Sequence, residues 1–247
     1  MVVRLSTGIH DLDLMIEGGV PEGFFVAVVG EPGTGKTILS MHFIHQGILD
    51  GDKCIYVTTE EDKESILDQA MRFGWEWKPF LGKRLIIIDA LKMQEDPWSL
   101  QDMEIEALIN KVIEAKKALG YGRARLVIDS ISAFWLEKPA MARKYSYIIK
   151  KAFGKWGFTT YLVSQYAITT MFAFGWGVEH IADGIIRLRR RISKGVLKRY
   201  LMVEKMRNTN HDRRIYEIEI TTRGITILGP ADLDVEDVSS PGYISDR

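Results

Sequence analysis

The sequence lacks the features of an exported or membrane protein. It contains one cysteine, Cys54, in 247 residues, which excludes a disulfide framework and a cysteine-rich metal site. The apolar residues around it in KCIYV predict that Cys54 is a small buried hydrophobe. No apolar run reaches the roughly 18 residues of a membrane span, and the opening MVVRLSTGIH lacks the apolar core of a signal peptide. These absences predict a soluble, cytoplasmic protein without a membrane partner.

The chain also lacks an excess of charge of either sign. Its 33 Lys and Arg residues balance its 33 Asp and Glu residues. A net charge of zero excludes the global attraction to polyanions that marks many nucleic-acid-binding proteins. Any binding to nucleic acid would therefore need a local basic patch.

Five short apolar runs rich in β-branched residues recur through the first two thirds of the chain. Each predicts a strand buried on both faces of a parallel sheet. The runs are FFVAVV (24–29), CIYVTT (54–59), LIIID (85–89), LVIDS (126–130) and TTYLVS (159–164). Helical patterns lie between them, and the clearest predicts a helix that starts from a capping box at Ser99 and ends before Gly120. This alternation indicates an α/β fold.

From about Ile181 the pattern changes to strands separated by short turn segments. The runs IIRLRRRI, VLKRYLMVEK, RIYEIEI and GITIL, with SKG and TTRG among the segments between them, are typical of antiparallel hairpins. We expect a mostly parallel twisted sheet flanked by helices, with these antiparallel strands as an extension, in one domain over residues 1–230. The remaining segment, 231–247, is acidic and rich in turn residues, and it is expected to be a flexible tail.

A glycine-rich segment follows the first predicted strand. GEPGTGKT at 30–37 matches the P-loop pattern G-x-x-x-x-G-K-[ST] and leads into the apolar-periodic ILSMHFIHQGIL, the strand, loop and helix context that the pattern requires. The glycines let backbone N–H groups face a phosphate, Lys36 can reach the β- and γ-phosphates, and Thr37 can bind Mg²⁺. The expected nucleotide-binding residues of the loop are Gly30, Glu31, Pro32, Gly33, Thr34, Gly35, Lys36, Thr37 and Ile38.

Hydrolysis of a bound nucleotide also needs an acidic contact for the metal and a group that orients water. LVIDS places Asp129 at a strand end, where it is a candidate metal contact. The strand CIYVTT delivers Glu60 and Glu61 to the sheet edge at which α/β proteins bind ligands. Either glutamate is a candidate catalytic residue, and a solvated pair that starts a helix is the alternative. Gln165 follows another strand, and its amide is a candidate sensor of the γ-phosphate.

Together these segments resemble the KaiC-like branch of the RecA/RadA superfamily. Further shared motifs are LSTGIHDLDLMIEGGVPEG (5–23), FGW (73–75), GVEHIADGIIRL (177–188) and KMRNTNHDRRIYEIEITTRGI (205–225). The resemblance implies a RecA-type P-loop core that binds ATP or ADP with Mg²⁺ and hydrolyses ATP, in which Glu60 activates the attacking water and Asp129 serves the metal. It also implies a homo-oligomer, a hexameric ring or a filament, with the nucleotide held between neighbouring subunits.

In KaiC-like proteins a K-x-R motif reaches the nucleotide of the adjacent subunit. The resemblance assigns this role to Lys205 and Arg207, which also share one face of the predicted strand because side chains alternate. Thr209 and His211 are expected to contact the same neighbouring nucleotide. Asn208 stands where the family usually has a glycine.

Two further departures from the family limit what the resemblance implies. The chain has one such domain where some members carry two in tandem, so a ring would be built from separate chains. Glu179 and His180 stand where the autokinase domain has its phosphorylated Ser-Thr pair. Autophosphorylation is therefore not expected at this place.

Two other functions stay open from the residues alone. One is a recombination accessory protein that binds single-stranded DNA weakly through a basic cluster, although the arginines of that cluster equally suit a solvated strand face. The cluster comprises Arg187, Arg189, Arg190, Arg191, Lys194, Lys198 and Arg199. The other is a nucleotide-binding scaffold with negligible turnover, in which the bound nucleotide stabilises the assembly.

Overall fold

A computed structural model describes residues 2–91, 96–135, 139–165 and 178–232. Eleven β-strands lie within these ranges. They are β1 Arg4–Leu5, β2 Val20–Pro21, β3 Phe25–Gly30, β4 Lys53–Thr58, β5 Leu85–Asp89, β6 Ala124–Asp129, β7 Phe158–Gln165, β8 Gly184–Ser193, β9 Val196–Met206, β10 Tyr216–Thr221 and β11 Gly224–Pro230. The predicted tail lies beyond the described residues from 233 onwards.

The described ranges also contain six α-helices. They are α1 His10–Met15, α2 Lys36–Asp50, α3 Lys63–Arg72, α4 Ile105–Leu119, α5 Ala142–Lys155 and α6 Val178–Ile181. Short 3₁₀ segments lie at Lys78–Phe80, Ile131–Trp135 and Pro139–Met141. Among the described residues, no helix has the length and apolar character needed to cross a membrane.

Nine strands form one sheet in the order β11-β10-β9-β8-β3-β7-β6-β4-β5. The pairs from β8 to β5 are parallel, and β9, β10 and β11 continue the sheet in antiparallel fashion. The predicted α/β class, with a mostly parallel sheet and an antiparallel C-terminal extension, is confirmed. Because the parallel strands run in one direction, their carboxyl ends meet at one sheet edge, which we call the carboxyl edge.

Helices cover both faces of the sheet. On one face α1, α2 and α3 contribute to a buried cluster that includes Leu12, Phe43 and Leu67. On the other face α4, α5 and α6 contribute to a second cluster that includes Leu108 and Phe153. The central strands are therefore buried on both faces, which explains their uninterrupted apolar runs.

The expected helix start at Ser99 is wrong. Helix α4 begins at Ile105 after Glu104, and Ser99 instead lies beside Asp89 at the end of β5. The Ser99 hydroxyl donates to the Asp96 carbonyl (2.9 Å), and the Leu100 N–H donates to the Asp89 carbonyl (2.8 Å). Ser99 thus closes a turn and extends the sheet edge. Its hydroxyl bonds to the backbone of this turn and therefore does not cap a helix.

Candidate nucleotide site

The P-loop lies at the carboxyl edge, between the end of β3 at Gly30 and the start of α2 at Lys36. Gly33 and Gly35 have φ values of 77° and 102°. Residues other than glycine rarely adopt such values, so the loop needs glycine at both positions. A Cβ at Gly35 would also lie 3.3 Å from Cδ1 of Ile220 in β10. The antiparallel extension therefore packs against the P-loop and is part of the site's wall.

The Lys36 side chain lies inside the loop. Its Nζ donates to the Glu31 carbonyl (2.9 Å), and the Thr34 hydroxyl donates to the same oxygen (2.8 Å). Burial lowers the pKa of Lys36, and the negative charges of Asp129 and Glu60 oppose this shift. The ammonium group has three N–H donors and the Glu31 carbonyl accepts one of them, so donors remain for a phosphate.

Asp129 ends β6, buried beside the start of α2. Burial raises the pKa of Asp129 to about 6, and hydrogen bonds from Tyr56 and Thr37 oppose the rise. The Tyr56 hydroxyl donates to Oδ2 at 2.8 Å. Asp89, at the end of β5, has a different role from Asp129. Its carboxylate accepts hydrogen bonds from the backbone N–H groups of Lys63 and Leu91 (2.8 and 2.9 Å) and so organises a loop.

The donors beside Asp129 suit Mg²⁺. The Thr37 hydroxyl and the Asp129 carboxylate are near enough for the hydroxyl to lower the pKa of the carboxyl group, and Mg²⁺ favours such oxygens together with water and phosphate. Among the described residues, His, Cys, Asp and Glu form no group of three that could hold a metal ion alone. The set therefore fits an ion that the nucleotide itself helps to bind.

Glu60 and Glu61 leave the end of β4 in different directions. The Gln165 side-chain amide donates to Oε1 of Glu60 (2.5 Å), which links the ends of β4 and β7, and the charge of Glu60 acts on both Lys36 and Asp129. Glu61 instead accepts from Nε2 of Gln69 in α3 (3.4 Å). The structure therefore groups Glu60 and Gln165 with the P-loop and holds Glu61 towards α3.

Lys205 and Arg207 lie at the opposite edge of the sheet. Lys205 Nζ donates to the Ala182 carbonyl (2.6 Å), and Arg207 Nη1 pairs with Oδ1 of Asp183 (3.1 Å). Asp183 is level with Phe25, the first residue of β3, because its N–H donates to the Phe25 carbonyl (2.7 Å). Both cations are thus separated from their own P-loop by the length of β3.

The loop after Arg207 is fixed by the N-terminal segment. Arg4 Nη1 donates to the Thr209 hydroxyl (3.0 Å), and its Nη2 donates to the Asn208 carbonyl (3.3 Å) and pairs with Glu17 (2.8 Å). Asn208 has a φ of 52°, a left-handed conformation that favours glycine and that asparagine tolerates better than most residues. The His211 ring, by contrast, has a buried Nδ1 without a hydrogen-bond partner in the described part of the chain.

Two arginines at the P-loop were not predicted as site residues. The antiparallel register places Arg190 of β8 directly opposite Arg199 of β9. Arg199 Nε donates to the Gly33 carbonyl (3.0 Å), and Arg190 Nη1 lies 3.2 Å from the position of a Cβ at Gly33. Sequence reasoning had assigned both to a possible DNA-binding cluster, because nothing in a single sequence reveals the strand register that turns them towards the loop.

Other cations of that basic cluster are neutralised within the sheet. Arg187 forms an ion pair with Glu204, and Lys198 pairs with Glu217 (2.9 Å). These pairs join neighbouring strands, as cross-strand opposite charges do. The cluster is therefore divided between ion pairs on one face of the sheet and P-loop contacts on the other.

Comparisons with known proteins agree with this geometry. A sequence profile of the family described as "ATPase: KaiC" matches residues 5–232. A UPF0273 protein of Thermotoga maritima is 38% identical over 235 residues, which cover 92% of this chain and 96% of the relative. A UPF0273 protein of Pyrococcus horikoshii is 36% identical over 235 residues, with 92% and 94% covered. The crystal structure of a KaiC-like protein from the hyperthermophilic archaeon Pyrococcus horikoshii has a TM-score of 0.79 and 31% identity, covering 92% of this chain and 99% of that chain. The chain therefore belongs to the KaiC-like ATPase family, and its P-loop core is of the RecA type.

Proposed function

We propose that the protein is a Mg²⁺-dependent ATPase that holds the nucleotide between copies of itself and uses the nucleotide state as a switch. Lys36 and the P-loop N–H groups bind the phosphates, and Thr37 and Asp129 hold the metal, which neutralises charge on the phosphates when it is bound. Glu60 orients and deprotonates the attacking water. Gln165, which is bonded to Glu60, links that carboxylate to the end of β7, beside the P-loop strand.

The observation that carries this proposal is the separation of the cations from their own P-loop. Arg207 is level with Phe25, five residues before Gly30, which corresponds to about 16 Å along a strand. An arginine side chain is too short for this distance, so Arg207 cannot reach a phosphate bound in the P-loop of its own copy. Arg207 is nevertheless 56% exposed, so another copy can approach it.

An interface of this kind joins two different surfaces. The carboxyl edge of one copy would meet the opposite edge of the next, a head-to-tail arrangement that closes into a ring or extends as a filament. We propose a homo-oligomeric ring, a hexamer as the family resemblance implies. In that arrangement Lys205 and Arg207 supply positive charge to the transferred phosphoryl group, an effect worth about a thousandfold or more in rate in related systems.

A subunit-mixing experiment tests the shared site. Lys36→Ala removes the phosphate lysine and Arg207→Ala removes the trans cation, so each variant alone should lack ATPase activity. In an equal mixture, about a quarter of head-to-tail interfaces would combine an intact P-loop with an intact Arg207, and activity should return to that level. The matched control mixes Arg207→Ala with the Lys36→Ala/Arg207→Ala double variant, which can form no intact interface. Equal activity in both mixtures would rule out a shared site.

A further inference from the structure

Helix α5 carries an excess of positive charge in a chain whose charges balance as a whole. Its 14 residues, ARKYSYIIKKAFGK, contain five basic and no acidic residues. One of the five, Lys150, is bound to Asp183 (2.8 Å) and to the Ile181 carbonyl (2.5 Å). The other four lie on the outer face of the helix and are exposed: Arg143, Lys144, Lys151 and Lys155.

These four cations have no counterion in the part of the chain that the structure describes. No carboxylate there lies within the 4.0 Å of a salt bridge to any of them. The basic strands β8 and β9 differ in this respect, because Arg187 and Lys198 are paired with glutamates. Four exposed cations without a counterion among the described residues are therefore gathered on one side of α5.

Aromatic side chains lie within the same surface. Tyr147 lies one helical turn from Arg143 and from Lys151 and is 56% exposed. At the end of the helix, Lys117 of α4 lies over the Trp156 ring, 5.7 Å from its centroid. We call the surface formed by Arg143, Lys144, Tyr147, Lys151, Lys155, Lys117 and Trp156 the α5 strip.

The shape of the α5 strip selects among anionic partners. Its cations extend over about 18 Å of helix instead of converging on a point, which suits an extended polyanion better than a small anion. Insertion into a membrane is disfavoured, because the apolar side of α5, with Ile149 and Phe153, is already buried in the protein core. A row of cations with an exposed aromatic ring between them is the arrangement that binds single strands, by phosphate contact and base stacking.

We propose that the α5 strip binds single-stranded nucleic acid, with its cations on the phosphates and Tyr147 stacked on a base. The strip lies on the α4 and α5 face of the sheet, and the P-loop helix α2 lies on the other face. Binding there is therefore separate from the nucleotide site.

Fluorescence anisotropy of the full chain with labelled dT and rU oligonucleotides, over a salt series and without ATP, tests the proposal. We expect Lys144→Glu/Lys151→Glu to weaken binding to the dT oligonucleotide, the rU oligonucleotide or both by about tenfold or more. The slope of log affinity against log salt concentration should fall by about 1.4, the share of two phosphate contacts. Tyr147→Ala should weaken binding without changing the slope. Lys144→Gln/Lys151→Gln repeats the test with a smaller perturbation, and thermal unfolding verifies that each variant folds.

The control is Lys78→Glu/Lys83→Glu, which makes the same charge change at exposed positions outside the strip. It should bind within about twofold of the wild type. Equal losses in the control and strip variants, no binding by the wild type at low salt, or equal displacement of the oligonucleotide by polyglutamate would each overturn the proposal. Wild-type binding to anionic vesicles that is lost in the strip variants, with no binding to either oligonucleotide, would overturn it as well.

Discussion

His42 provides a direct test of how the antiparallel extension is attached to the P-loop helix. It lies on α2 and is 6% exposed, its Nε2 accepts the Ile225 N–H of β11 (2.9 Å), and its ring lies 4.5 Å from the Trp75 ring. A Cβ at Gly224 would lie 2.2 Å from Nε2, so the hairpin leaves no room for water there. Burial lowers the pKa of His42 from 6.5 to about 4.

The sign and size of the expected pH effect follow from this shift. The unfolded chain binds a proton at His42 below pH 6.5, whereas the folded chain resists doing so until about pH 4. Stability is therefore lost as the pH falls through this window. The difference of about 2.5 pKa units corresponds to about 3 kcal/mol of unfolding free energy. Protonation also removes the acceptor of the Ile225 N–H, so we expect the hairpin to separate from α2 first.

Urea unfolding of the wild type and of His42→Gln between pH 8 and pH 4 measures this effect. The variant should be the less stable protein at pH 8, and the gap should shrink by about 3 kcal/mol as the pH reaches 4. Asp129, whose pKa is raised to about 6, acts in the opposite direction over part of the same range. Subtracting the unfolding free energy of the variant from that of the wild type at each pH removes the contribution of Asp129, which both proteins share. A gap that stays constant with pH would show that His42 is not held neutral by burial.

Three further substitutions test other parts of the reasoning. Glu60→Gln should retain ATP binding and lower phosphate release by about a hundredfold or more, and unchanged release would exclude Glu60 as the base. Asp52→Asn should cost about 3 kcal/mol in urea unfolding, because Asp52 is a buried counterion of the fully buried Arg125 (2.7 Å), whereas Asp68→Asn on the surface should cost almost nothing. Arg4→Ala should lower ATPase activity by about tenfold or more with unchanged nucleotide affinity, because Arg4 holds the loop that follows Arg207. Equal losses of activity and affinity would point to general unfolding instead.

The parallel strands were predictable because burial on both faces leaves a distinct pattern. LIIID matches β5 residue for residue, and the other four runs agree with β3, β4, β6 and β7 to within two residues at each end. The same pattern located the ends of these strands, which brought Asp129, Glu60 and Gln165 to one edge. The physical reason is that the carboxyl ends of the parallel strands meet at one edge of an α/β sheet. Residues at these strand ends can therefore be predicted to lie near one another.

Contacts between distant segments were not predictable in the same way. Arg4 binds Thr209 across 205 positions, and no periodic pattern connects them. The contact of Arg199 with the P-loop was missed, because its orientation depends on pairing with Arg190 and hence on the register of β8 and β9. A one-residue slip would send both side chains to the other face. Ser99 shows the local limit, since a capping pattern cannot reveal that the residue is also beside the end of β5.

Strand β9 connects the two edges of the sheet and gives the proposed switch a physical route. It carries Arg199, bonded to Gly33 of its own P-loop, and six residues later Lys205, at the edge proposed to face the next copy. Six residues of strand span about 20 Å, and β9 is paired along this length with β8. A strand that is hydrogen-bonded in this way moves as a unit more readily than it bends. If phosphate binding displaces Gly33, the displacement is therefore transmitted through Arg199 to Lys205. Arg199→Ala should then weaken the coupling between the nucleotide sites of neighbouring copies while leaving phosphate binding by Lys36 in place.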